Sequence, residues 1–411
     1  MRILFVSYFF PPNAYATGVK RTTRIIKRLR KHGVEPLILT ARDYTFIKRD
    51  ESFLRELPED LVIFRPKALE PSTFLKNAEF LEEKGKKPFR YFIWPDSRIL
   101  WLINALPQIS KIIKNFKPHG MVVQAPPFSS LVLGLLANKL HKLPYILDMW
   151  DPWSDDLYGM YPTFWQKNLT DKAEESLMKG ARGIIVVTYP MKYRLLHRYP
   201  FLESHKIEVI TFGYEEDEMK DIGEIDYNPP LKILYLGSLF GIHKDPRVFF
   251  EAFHEFIKKG NKNVKLILVG TKSSRILDLA SSIPKENIEL IPYIPHSEIL
   301  KFIRSSHILW LLTTPGPGYD LIMPSKLFEY LGARRPILAT VPPGWVQDFL
   351  KRINAFVCDP VNKSEILDTL YRIWSSFENK KLPLPPQEVR AFYSYENLSE
   401  RYAAFLKERF S

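Results

Sequence analysis

One beat recurs along this chain: a short apolar run, a loop, an amphipathic segment, then another short apolar run. Arg2 to Tyr8 opens it around Ile3-Leu4-Phe5-Val6. Pro11 to Gly18 reads as a loop. Val19 to Lys31 reads as a helix with Val19, Ile25, Ile26 and Leu29 on its apolar stripe. Gly33 ends that helix, and Leu37-Ile38-Leu39 is the next strand. Continuous apolar runs are strands buried on both faces, and strand–helix–strand order implies a parallel sheet. The beat continues through strand Met121-Val122-Val123, helix Ser130 to Leu140, strand Tyr145-Ile146-Leu147 ending at Asp148, and strand Gly183 to Val187. After the acidic stretch Glu215 to Pro230 it restarts. Ile233 to Leu236 ends in Gly237, helix 246–258 follows, and Lys265 to Val269 ends in Gly270. Glu289 to Ile291, Ile308 to Leu312 and Pro336 to Ala339 complete the series. The expected fold is α/β, with two Rossmann-like doubly wound domains joined near 215–230 and facing a cleft. Ligands bind such sheets beyond the carboxyl ends of their strands. The expected division is 1–215, 216–390, and a terminal helical segment 391–411 packing back toward the N-terminal domain.

Several chemistries lose support. The single cysteine, Cys358, cannot form an internal disulfide or a thiolate metal cage and suits a reducing compartment. Ile3 to Phe10 follows Arg2, and Ala14-Tyr15-Ala16 imitates a cleavage site. Pro11-Pro12 interrupts that run, so it reads as a first buried strand rather than a leader. No 18-residue apolar stretch exists; the nearest, Ser129 to Trp150, is broken by Lys139, His141 and Lys142. No dinucleotide glycine fingerprint, P-loop, HExxH or CxxC occurs, and the nine histidines are scattered. No metal site is expected.

The charge is uneven. Lys+Arg number 59 against 46 Asp+Glu, a net of +13. Residues 1–200 carry 32 basic and 19 acidic side chains, whereas 201–411 carry 27 of each. The first half is therefore expected to meet something anionic. Lys20, Arg21, Arg24, Lys27, Arg28, Arg30 and Lys31 suit an outward basic face on helix 19–31. Lys84, Lys86, Lys87 and Arg90, near Phe89, Tyr91, Phe92 and Trp94, form a second patch. Both would fit an anionic membrane surface or serve as ordinary solvated faces. Nucleic acid is not expected, since no binding module appears.

The segment Pro324-Ser325-Lys326-Leu327-Phe328-Glu329-Tyr330-Leu331-Gly332 follows strand 308–312 and the loop Thr313 to Asp320. Pro324 suits a first helical position. A helix starting there would aim free N–H groups at a diphosphate, with Lys326 adding positive charge and Glu329 facing hydroxyls. A merely solvated helical face remains open for that pair.

These residues and several others resemble a family. PSKLFEYLGARRPILA is similar to the donor-binding segment of family-4 glycosyltransferases of the GT-B fold, and LYLGSLFGIHKDP to the glycine loop opening their donor domain. FIWPDSRILWLINA, VVQAPPFSSLVLGLLANKLHKLPYI and LDMWDPWSDD resemble, in order, runs of one branch. SYENLSERYAAFL resembles the closing helix. The resemblance covers nearly the whole chain. It implies a retaining, metal-independent transfer of a sugar from a nucleotide-diphosphate sugar, with no cofactor. The donor would bind the C-terminal domain and a glycan acceptor, lipid-linked in surface polysaccharide or glycolipid synthesis, the N-terminal domain. The enzyme would be cytoplasmic, peripheral on the inner face of the membrane.

Carried over, Lys244 and Lys326 would neutralise the departing diphosphate, near Gly237, His243, Ser325 and Leu327, while Glu329 binds the ribose. Gly18 would admit the phosphates by lacking a Cβ. Tyr293 and Ile294 would flank the base, and Gly316, Gly318 and Asp320 would line the sugar pocket. Asp151 or Asp148 would orient the acceptor or sugar hydroxyls, or act as turn residues beside Pro152. The sequence departs from the family pattern in three places. Leu321 stands where a Glu is common, His243 or Lys244 stands for the usual Arg, and Thr17-Gly18 replaces a Gly-Gly pair. A GT-B nucleotide-sugar epimerase and a non-catalytic sugar or nucleotide binding protein are the alternatives.

Overall fold

The apolar runs become strands because both faces of each are covered. The structure, a computed structural model, describes all residues except 14–16, 43–49, 69–90, 158, 242–243, 271–272 and 295, and the side chains of 17, 296 and 297. The patch at 84–90 and His243 thus lie outside the described residues. The chain forms two units: Met1–Phe212 with Tyr395–Ser411, and Gly213–Ser394.

In the first unit the strands are β1 (Arg2–Val6), β2 (Glu35–Leu39), β3 (Val62–Phe64), β4 (Gly120–Ala125), β5 (Tyr145–Met149), β6 (Gly183–Val186) and β7 (Ile207–Val209). Their order is β3-β2-β1-β4-β5-β6-β7, all parallel, with Leu4 beside both Leu37 and Met121. The winding reverses between β1 and β4. The longer helices are α1 (Thr17–Leu29), α2 (Leu102–Phe116), α3 (Ser129–His141), α4 (Phe164–Gly180) and α5 (Tyr189–Arg198).

The second unit repeats the plan with β8 (Leu231–Leu236), β9 (Val264–Val269), β10 (Ile288–Ile291), β11 (Ile308–Leu312), β12 (Ile337–Thr340) and β13 (Phe356–Cys358), ordered β10-β9-β8-β11-β12-β13. Besides the single turn Glu216–Met219, its helices are α6 (Arg247–Lys258), α7 (Ser274–Ala280), α8 (His296–Ser305), α9 (Lys326–Gly332), α10 (Trp345–Arg352), α11 (Lys363–Glu378) and α12 (Gln387–Phe392). Here the reversal lies between β8 and β11. The last helix, α13 (Tyr395–Phe410), belongs to the first unit and places Leu398, Tyr402, Phe405 and Leu406 in its core.

The expected outward basic face of α1 is not there. Arg21 and Arg24 are 0% and 1% exposed, and Arg28 is buried too. Arg21 donates twice to Asp148, at 3.0 and 2.9 Å, and to the carbonyls of Ile210 and Thr211. Arg24 and Lys27 pair with Glu56, Arg28 with Glu396, and Arg30 with Glu35 and Asp60. Only Lys31 of the seven is exposed, 3.6 Å from Glu396. The arginines turn inward because acidic side chains from distant elements meet them there. No helix among the described residues is long and apolar enough to cross a membrane.

Candidate active site

In the second unit, Gly237 ends β8 and Gly270 ends β9, both with φ +84°. A Cβ on Gly237 would lie 2.6 Å from Lys326 Nζ, so the glycine is what lets the ammonium approach this strand end. Lys326 donates to the carbonyl of Leu236 and lies 4.9 Å from the Tyr235 ring centre. Lys244 Nζ donates to the carbonyl oxygen of Ser238, the residue after Gly237, at 3.4 Å. Burial, then repulsion from Lys244, pushes the Lys326 pKa down to about 7, with Glu329 opposing. Burial also lowers Lys244. Lys244 and Lys326 thus share one strand end beside the β8/β11 reversal, and Lys244 disfavours the charge on Lys326. Glu329, half-buried one turn along α9, is the carboxylate in their field.

The helix itself differs from expectation. α9 starts at Lys326 rather than Pro324 and is seven residues long. Leu327 N donates to Pro324 O at 3.0 Å and Phe328 N to Ser325 O at 3.2 Å, so those N–H groups serve their own turn. Ser325 makes no side-chain cap, and the Leu327 side chain is fully buried. Gly316 O accepts from Tyr319 N, and Gly318, at φ +67°, accepts from Leu321 N, shaping the loop that exposes Asp320. Leu321 is buried. Tyr293, exposed, and Ile294 follow edge strand β10, two strands from β8.

In the first unit, Gly18 and half-buried Asp151 are joined through Trp150. A Cβ on Gly18 would lie 2.0 Å from Trp150 Cε3, so the indole fills the face expected to admit phosphates. Asp148 is fully buried and accepts from Arg21, Gln124 and Tyr402. Its oxygens are taken up by donors from α1, β4 and α13, so it braces the sheet.

The three runs of the first half converge. Asp96 accepts from the Ser129 N–H at 2.9 Å and its hydroxyl at 2.5 Å, capping α3. Trp153 stacks between Trp94 and Phe128, with centroids at 5.9 and 5.4 Å, and its N–H donates to Tyr161. This brace holds the loop that carries Trp150 and Asp151 beyond β5. Sequence reasoning missed Asp96, Tyr235 and Trp150. The aspartate three residues before a helical run was the one local signal for such contacts, and it lies far from Ser129 in the chain. Among the described residues no cluster of three or more His, Cys, Asp or Glu is placed to hold a metal ion.

Comparison with known proteins follows the same division. Residues 18–218 match the model of Glycosyltransferase Family 4, and residues 230–376 that of Glycosyl transferases group 1. No match was found among curated proteins. Similar solved structures span the whole chain. Sucrose-phosphate synthase from Thermosynechococcus elongatus has TM-score 0.67 at 12% identity, covering 100% of this chain and 99% of that one. HepE from Anabaena, in complex with UDP-glucose, has TM-score 0.63 at 11% identity, covering 99% and 100%. A UDP-N-acetylglucosamine 2-epimerase assigned in Listeria monocytogenes has TM-score 0.58 at 13% identity, covering 100% and 96%. These likenesses carry the fold, and the two family models carry the membership: the chain belongs to the family-4-like glycosyltransferases of the GT-B fold.

Proposed function

We propose that the chain transfers a hexosyl group from a nucleoside-diphosphate sugar bound by Gly213–Ser394 to an acceptor bound by the first unit, with retention and without a metal ion. The observation that carries the reading is the pair Lys244 and Lys326 beside Gly237. Both amines are partly desolvated and Lys244 depresses Lys326, so an entering dianion stabilises their charged forms. The Anabaena structure with UDP-glucose supports that class of donor.

In the proposed reaction, the bond from sugar C1 to the diphosphate oxygen breaks. The acceptor oxygen bonds C1 on the same face, and its proton passes to the departing phosphate. Negative charge grows on phosphate oxygens, where Lys326 and Lys244 stabilise it; removing one such group typically costs about 10²–10³ in rate. Asp151 orients the acceptor hydroxyl, Glu329 holds the ribose, and Tyr293 and Ile294 flank the base. The sugar-loop residues Gly316, Gly318 and Asp320 complete the donor site.

A lipid-linked acceptor at a membrane surface belongs to the same proposal. The charge of residues 1–200 supports it, as do Phe92 and Phe164, 83% and 84% exposed. The arginines of α1 do not, being paired internally.

The test is a nucleotide-sugar screen by calorimetry, then product analysis with lipid-linked acceptors, with the anomeric configuration read by NMR and chelator present. Transfer with retention is expected. Epimerised nucleotide sugar made without acceptor would replace this reading with the epimerase one. Co-sedimentation with phosphatidylglycerol vesicles should fall as salt rises; no binding at any salt would remove the membrane part.

A further inference from the structure

We infer that the first unit docks on an anionic lipid bilayer through one outer helical layer, α2, α3 and the start of α4, and not through α1. This names the face for the membrane reading above and rests on that reading.

The charge points to this layer. Ser97 to Leu147, which spans α2 and α3, holds no Asp or Glu but carries Lys111, Lys114, Lys117, Lys139 and Lys142. All five lysines are exposed. Among the described residues none of them makes an ion pair, whereas the arginines of α1 are paired. Apolar side chains stand between these lysines. On α2, Ile103 (59% exposed), Pro107, Lys111 and Lys114 share one face, at steps of four, four and three residues. On α3, Leu136, Lys139 and Leu140 (63% exposed) do the same. The Ser110 hydroxyl lies 2.8 Å from His141 Nε2, which joins the two helices into one surface.

The layer continues onto α4. The crossovers β3 to β4, β4 to β5 and β5 to β6 run the same way across the sheet, so their helices cover one face. β1 to β2 runs the other way and puts α1 on the opposite face. α3 packs on both α2 and α4. Exposed Phe164 and Trp165 open α4, and exposed Phe92 is held beside that turn: Gln166 donates to Ile93 O at 3.0 Å, and Trp94 to Thr170 at 2.9 Å. The acidic side chains of these three helices are confined to α4. They are Asp171, buried Glu174, and Glu175, which pairs with Lys179 at 2.5 Å.

A bilayer interface takes both kinds of group. Lipid phosphates meet the ammonium groups, while aliphatic and aromatic side chains reach the acyl boundary. A nucleic-acid backbone would meet the lysines and leave the apolar side chains in water. α4 starts after the loop that carries Asp151, beyond the carboxyl end of β5. Lipid along this layer therefore reaches the edge at which the acceptor is proposed to bind.

The experiment is co-sedimentation of the full chain with vesicles of phosphatidylglycerol in phosphatidylcholine, at low and at high salt. Lys111→Gln, Lys114→Gln, Lys139→Gln and Lys142→Gln are combined in one variant. Its affinity should fall about 10²–10³-fold, at roughly five-fold per lysine. A charge-matched control changes Lys258, Lys262, Lys380 and Lys381, exposed on the second unit, to Gln and should bind like the wild type. Leu140→Ser with Phe164→Ser should remove the binding that remains at high salt, where the charge contribution is screened. Melting temperatures should match the wild type in all three variants, since every changed side chain is exposed. A lysine variant that binds like the wild type, a control that loses as much, or equal binding to pure phosphatidylcholine would overturn the inference. In the first two cases the membrane reading stands and only the face is wrong. If the wild-type chain binds no vesicle at any salt, the membrane reading falls, and this one with it.

Discussion

Lys326 is a lysine held near neutrality. Its folded-state pKa of about 7 lies below the ordinary 10.5 because burial and Lys244 both oppose the charge. The unfolded chain keeps a proton that the folded chain releases between those values. Free protein therefore gains stability from this residue as pH rises from about 7 toward 10.5. A bound diphosphate reverses the preference and restores the ammonium. Nucleoside-diphosphate binding at pH 8 should then take up close to one proton, and affinity should fall as pH rises above 7. Calorimetry in buffers of differing ionisation heat reads the uptake directly. Lys326→Ala should abolish it and lower turnover about 10²–10³-fold with the fold intact; buffer-independent heats in the wild type would refute the assignment. At Gly18 the constraint is steric. Its Cβ direction runs into Trp150 Cε3 at 2.0 Å. Gly18→Ala should cost about 1–3 kcal/mol through overpacking. Trp150→Ala in the same chain should remove that cost, so urea denaturation of the two single variants and the double should be strongly non-additive.

At the scale of elements, what was legible is what local pattern encodes. The central strands are unbroken apolar runs and were readable as such. The strands that escaped, β3, β7 and β13, are three residues each and lie at sheet edges, where one side lacks a neighbour and the apolar signal is weakest. The start of α9 was misplaced because Pro324 allows a helical first turn without requiring one. The basic helix misled for a different reason. Seven basic side chains look like a solvated face until their partners are known, and Asp148, Glu56 and Glu396 come from other elements. In the same way, Lys244 was nameable only through family resemblance, and the partner of Lys326 was not readable at all. Nothing local says that the α9 lysine reaches the carbonyl of Leu236 at the end of β8. Asp148 measures how much such long-range pairing matters. Asp148→Asn keeps the shape but leaves Arg21 buried without its counter-charge, which typically costs about 3–5 kcal/mol. Denaturant midpoints should shift accordingly with an unchanged slope; a shift below about 1 kcal/mol would mean that the carbonyls of Ile210 and Thr211 alone satisfy Arg21.

For the whole molecule, the chain returns to the unit in which it began. It enters the second unit at Gly213 and leaves at Ser394, and there Tyr214 N donates to Tyr393 O at 3.2 Å, so entry and exit run side by side. α13 then completes a core it did not begin. Leu398, Tyr402, Phe405 and Leu406 are buried with β1 and α1 residues, Tyr402 also donates to Asp148, and Glu396 and Arg401 pair with Arg28 and Glu208. Large apolar side chains contribute about 1.5–3 kcal/mol each on burial. Four or five of them amount to much of the roughly 5–15 kcal/mol that holds a domain folded. A chain ending at Ser394 should therefore lose the first unit while the second, whose core lies wholly within Gly213–Ser394, persists. Hydrogen exchange should show residues 2–209 unprotected and the strands β8 to β13 still protected. Melting shifts with a nucleoside diphosphate should survive, since Gly237, Lys244 and Lys326 all remain, whereas transfer to an acceptor should be lost. Full protection of β1 and β4 in the shortened chain would show that the terminal helix is a covering rather than part of the core.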